Sequence, residues 1–113
     1  MSASREFARR WQRDAYQALG EFLQPKDLPA IAWTIATTGA LVGDVDSLAS
    51  TPAEQRAAFA AWTRHLNADA APERTGEDGV THLYAKFRWQ GDRVRGAIRA
   101  TIYPPMDDEG GES

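Results

Sequence analysis

The chain has 113 residues, 42% of them hydrophobic, which suits one domain with a real core. It has no cysteine, which excludes disulfides, thiol catalysis and cysteine metal sites. No apolar run reaches the ~18 residues of a membrane span, and the Arg-rich, amphipathic N-terminus has no apolar signal segment, so a cytoplasmic location without membrane partners is expected. The formal net charge of −3 is unevenly spread. Asp107, Asp108, Glu109 and Glu112 crowd the acidic end, whereas residues 80–103 set five Lys and Arg side chains against Asp92 alone.

Ser4 is placed to cap a first helix running to about Leu23. Phe7, Trp11, Ala15, Ala18, Leu19, Phe22 and Leu23 recur at helical spacing and form a broad apolar stripe for core packing. Acids interleave the arginines on the opposite face, which argues against a membrane-surface helix. Pro25 and Pro29 then end the helix and turn the chain.

Ile31, Trp33 and Ile35 alternate with small or polar residues, and Leu41, Gly43 and Val45 follow Thr37-Thr38-Gly39. A three-residue loop with Gly39 in the left-handed region pairs Ile35 with Leu41, Trp33 with Gly43 and Ile31 with Val45. A two-residue loop would force the β-branched Thr38 to positive φ and set Trp33 against Asp44. Thr51-Pro52-Ala53-Glu54 is a helix start with a cap, a proline in the first turn and a capping box. That helix is expected to reach about Asn67, with Ala58, Phe59, Trp62 and Leu66 buried and an alanine-rich back. Residues 67–79, with Pro72, Gly76 and Gly79, read as a mobile loop.

The strongest pattern runs from Val80 to Tyr103. Thr81, Leu83, Ala85, Phe87 and Trp89 alternate with polar residues, and so do Val94, Gly96, Ile98, Ala100 and Ile102. Gly91-Asp92 supplies a turn with glycine first, as a type II′ turn requires. The resulting register sets Trp89 opposite Val94, Phe87 opposite Gly96, Ala85 opposite Ile98 and Leu83 opposite Ala100 on one apolar face. The other face pairs Arg88 with Arg95, Lys86 with Ala97, Tyr84 with Arg99 and His82 with Thr101. Residues 106–113, after Pro104-Pro105, are expected to form a disordered acidic tail.

The element order predicts a single α+β domain over residues 1–105: helix, hairpin, helix, hairpin. The expected architecture is a two-layer sandwich, a four-stranded antiparallel or mixed sheet with two helices on one face. Periodicity leaves the strand order open.

Candidate chemistry is sparse. Tyr84, Lys86, Arg88, Arg93, Arg95, Arg99 and Tyr103 interleave cations and aromatics on the outer face of the long hairpin, beside His82. Such a surface suits an acidic protein partner, or a nucleic-acid backbone with stacked bases. A solvated strand face that resists aggregation has the same composition. Asp44 and Asp46 could share a divalent ion, but no third ligand is spaced to help and strand-exit turns explain them as well. His65 and His82 lack a nucleophile or carboxylate at motif spacing, so no catalyst, metal or cofactor is expected. Trp11, Trp33, Trp62 and Trp89 fall on apolar faces and are expected in the core; unpaired ring N–H groups would point to a pocket instead.

The segments PAIAWTI, LVGDVDSL, TPAEQRAAFAAW, LYAKFRW and VRGAIRATIYPP, within residues 28–105, resemble small uncharacterised proteins of high-GC soil bacteria and their mobile elements. That resemblance implies no activity, cofactor or catalytic residue. At the level of fold, the element order also resembles secretion-chaperone-like proteins, which bind proteins as dimers, but without their extra strand and final helix. The expectation is a non-enzymatic binding module for protein partners, a second copy of itself included through the smooth patch of Ala32, Thr34, Ala36 and Val42. Nucleic-acid binding by the arginine face is the alternative.

Overall fold

Alternation and turn chemistry set the long hairpin where the pattern places it. The computed structural model describes residues 2–47 and 50–104, with side chains from Glu6 onward. Its elements are α1 (Ser2–Phe22), β1 (Ala32–Ile35), β2 (Leu41–Asp44), α2 (Pro52–His65), β3 (Asp69–Ala70), β4 (Arg74–Thr75), β5 (Thr81–Trp89) and β6 (Val94–Ile102). β5 and β6 pair with Trp89 opposite Val94, Phe87 opposite Gly96 and Arg88 opposite Arg95. Arg93 N–H donates to Gln90 O across Gly91-Asp92, and Gly91 holds φ +69°, as its place in the turn requires. β1 and β2 adopt the three-residue loop, with Trp33 opposite Gly43 and Gly39 at φ +84°.

These strands form one mixed sheet of six strands, ordered β1-β2-β6-β5-β3 with β4 also on β5. The expected four strands are therefore too few. Residues 69–70 and 74–75, assigned above to a mobile loop, pair with the outer edge of β5. Their side chains are exposed, so the pairing, made by backbone groups and a 2.9 Å hydrogen bond between the Thr75 and Thr81 hydroxyls, leaves no hydropathy pattern. They cover part of an edge that a nine-residue strand would otherwise leave bare. β2 and β6 run parallel, with Leu41 opposite Gly96 and Asp44 opposite Arg99. This parallel seam puts the turns of both hairpins at the same end of the sheet.

Both helices cover one face. Ala15, Ala18 and Phe22 of α1 and Trp62 and Leu66 after it pack on Leu41, Leu83, Phe87, Ile98 and Ala100 of the sheet. Phe22 is the hub of an aromatic cluster, 4.8 Å from Trp89, 5.6 Å from Trp33 and 5.8 Å from Phe87 between ring centres. Trp62 Nε1 donates to Pro29 O at 2.7 Å, tying α2 to the chain entering β1. Trp33 Nε1 finds no acceptor among the described residues. Thr51 caps α2: Glu54 N–H donates to Thr51 Oγ1 at 3.1 Å, and Thr51 N–H to Glu54 Oε1 at 2.8 Å. Gln55, which the apolar stripe omits, is only 2% exposed and donates Nε2 to Thr101 O at 2.9 Å.

α1 departs from expectation at both ends. It has already begun at Ser2, so Ser4 lies inside the helix and is not its cap. Phe7 and Trp11 are each 46% exposed, and Leu23 lies past the helix end and is exposed. A helix of 21 residues is about 31 Å long, at 1.5 Å per residue. The four-residue strands β1 and β2 are far shorter, so the helix outruns them but not the nine-residue β6. Trp11 lies against the turn of the first hairpin, where a Cβ on Gly39 would come 2.3 Å from Trp11 Cβ. The expected acidic tail lies outside the described residues.

Candidate functional site

The face of the sheet opposite the helices is built by strand parity. His82, Tyr84, Lys86 and Arg88 of β5 alternate with buried residues and are exposed. On β6, Arg95 and Arg99 are exposed, but Ala97 is only 6% exposed although it points the same way. Ala97 sits between Lys86 and Val42 in the register, and its methyl is roofed by its longer neighbours. The centre of this face is thus built of small residues, with buried Ala97, half-buried Val42 and exposed Thr34 in one row across β6, β2 and β1.

Its charges are not the unbroken basic field that the hairpin alone suggests. The parallel seam sets Asp44 beside Arg99, and Arg99 Nε and Nη2 donate to Asp44 Oδ1 and Oδ2 at 3.0 and 3.1 Å. The hydrogen bonds from this two-pronged pair hold the Arg99 pKa above its ordinary value. Both side chains are about half exposed, so the pair adds only ~0.5 kcal/mol of stability. β3 sets Asp69 directly opposite Lys86, and Arg88 Nε lies 3.4 Å from Asp92 Oδ1. Arg93 leaves this face: its Nη2 donates to Asp14 Oδ1 of α1 at 3.2 Å, on the helix side of the turn. Tyr103 is exposed just beyond β6.

Six of the seven residues singled out in the hairpin, all but Arg93, therefore remain along the outer face or its end. Arg74 on β4, which no local pattern singled out, joins them opposite His82. Together with Tyr84, Arg99, Asp44 and the Ala71-Pro72 wall, these two residues line a groove of about 710 Å³. The groove offers cations and a phenol to a partner, with one carboxylate already engaged. The divalent-ion alternative loses Asp44 to Arg99, and Asp46 has a partner too. His65 stacks edge-on to Trp62, 5.9 Å between ring centres, at the end of α2. Trp62 is buried, and Trp33 and Trp89 pack against the core, but Trp11 does not join them. Among the described residues no helix is long and apolar enough to cross a membrane.

Comparison with protein-family models, curated proteins and solved structures finds no match to this chain.

Proposed function

We propose that this chain is a non-enzymatic binding module whose outer sheet face recognises a protein partner. The observation that carries this reading is the placement of Asp44, Asp69 and Asp92 among Arg99, Lys86 and Arg88, around a small centre at Ala97. Alternating signs around a close-packed centre complement another protein surface, where charges set register and exclude wrong partners. A polyanion prefers an unbroken run of cations, since its affinity grows with the number of phosphates neutralised. The intercalated acids and the diversion of Arg93 to Asp14 therefore favour protein over nucleic acid.

The test is co-purification from the native host with wild type and with Lys86→Glu, which reverses an exposed charge beside the small centre. A specific partner recovered with wild type is lost with the variant while the far-ultraviolet spectrum stays the same. The nucleic-acid alternative is checked by titrating labelled single-stranded RNA and duplex DNA at two salt concentrations. The expected result is no tight complex even at low salt. Binding that falls steeply with salt and is abolished by Arg95→Glu with Arg99→Glu overturns the protein reading.

A further inference from the structure

The parallel seam has a second effect, on charge. Because both turns lie at one end, the N-terminal half of α1 meets them there: Trp11 packs on Gly39, and Asp14 pairs with Arg93. Arg9, Arg10 and Arg13 of this helix half are exposed, as are Arg88, Arg93 and Arg95 at the hairpin tip. Six arginines thus share this end with three acids, Glu6, Asp14 and Asp92, of which two are committed to ion pairs. Between Trp11, the first turn and the Arg93–Arg95 side lies a cleft of about 390 Å³. Beside it stands an exposed aromatic ridge: Phe7 and Trp11 stack at 6.0 Å between ring centres, and the Arg10 guanidinium lies 5.5 Å from the Phe7 ring centre. Aromatic rings flanked by guanidinium groups suit an extended segment that carries proline or methionine together with acids.

This chain carries such a segment. Pro104-Pro105-Met106-Asp107-Asp108-Glu109 follows β6, and residues 106–113 hold four acids and no base. It leaves from the far end of the sheet, where Pro104 lies against Gly79. Nine residue steps separate Arg95 from Pro104, so the basic end lies roughly 30 Å away, at ~3.3 Å per strand residue. Asp107 to Glu109 are three to five residues past Pro104 and reach at most about 18 Å, and Glu112 about 29 Å when fully straight, at ~3.6 Å per extended residue. The run of three acids falls well short of that distance within its own chain, but it can reach a neighbouring one.

We propose that the segment from Pro104 through the acidic residues docks on the Phe7–Trp11 ridge and arginine cleft of a second copy, giving head-to-tail association. The contact joins two different surfaces, so it builds closed rings, the smallest a reciprocal pair, or open chains. Its aromatic ridge lies on the helix side of the sheet, apart from the outer face, and the two surfaces share only the charged residues of the hairpin tip. Because its charges are exposed, it weakens as salt screens them.

The test uses sedimentation velocity at 50 and 300 mM salt, our chosen conditions, on the full chain, on a chain ending at Pro105, and on Phe7→Ser with Arg10→Glu. The full chain gains mass with concentration at low salt and loses this at high salt. Each altered chain sediments as a monomer alone. Mixed, they form one-to-one complexes, since one keeps the cleft and the other keeps the tail. A labelled peptide of residues 103–113 binds the shortened chain at least ~10-fold more tightly at low salt than at high salt, and does not bind the Phe7/Arg10 variant. Association of the shortened chain equal to that of the full chain overturns the proposal. So does failure of the peptide to bind at low salt, or preferential capture of single-stranded RNA by the arginine end.

Discussion

The two hairpins use one packing device with different tolerances. In each, an aromatic ring lies over a glycine of the opposite strand: Trp33 over Gly43 and Phe87 over Gly96. In the first hairpin, a Cβ on the glycine would meet Ile31 Cδ1 at 2.7 Å and the Trp33 ring at 3.1 Å, the far ends of side chains on a partly exposed edge strand. In the second, it would meet Leu41 O at 2.0 Å and the Phe87 ring at 2.4 Å. Gly96 has backbone on one side because β2 pairs with β6 there. The same pair of residue types is thus a side-chain fit in one hairpin and a condition for joining the two hairpins in the other.

The comparison is broken most sharply at that glycine. Gly96→Val should abolish folding or cost on the order of 4 kcal/mol or more in urea denaturation, because β6 must retreat from β2. Gly43→Ala should cost only about 1–2 kcal/mol, since Ile31 and Trp33 can shift. Equal losses would mean that the hairpins are equivalent after all. Phe87→Ala follows at about 3–5 kcal/mol, because it empties the floor beneath Phe22. Gln55→Ala should cost about 1–3 kcal/mol, since it leaves Thr101 O without its donor at the edge of α2. Smallest is Trp33→Phe, expected within ~1 kcal/mol of wild type: it removes buried area together with a ring N–H that has no acceptor. The matching Trp62→Phe loses a 2.7 Å hydrogen bond to Pro29 O and should cost clearly more in the same urea denaturation.

Within each hairpin the sequence was readable, because a period of two and a turn with a defined glycine leave one register that segregates the faces. The start of α2 was readable for a similar reason, since Thr51, Pro52 and Glu54 act on one another within a single turn. What escaped lies between elements. Nothing in the periodicity of Leu41–Asp44 says that this strand runs beside β6, so neither the strand order nor the Asp44–Arg99 pair could be read. The edge strands at Asp69–Ala70 and Arg74–Thr75 are exposed, held mainly by backbone groups, and carry no hydropathy signal. Phe7 and Trp11 satisfy the helical stripe as well as Ala15 and Phe22 do. Their exposure depends on where the sheet ends, which no helix records in its own residues. The candidate surface was legible as a list of exposed cations but not as a charge pattern, because its acids arrive from other strands.

The seam between β2 and β6 also sets an order of events. Each hairpin closes a loop of a few residues and can form within microseconds on its own. Leu41 and Gly96 are 55 positions apart, and their meeting must pay for ordering everything between them. Assembly therefore waits on that one junction. Substitutions at the hairpin tip, which is formed before the junction closes, should therefore slow refolding with little effect on unfolding, as should those beside Gly96.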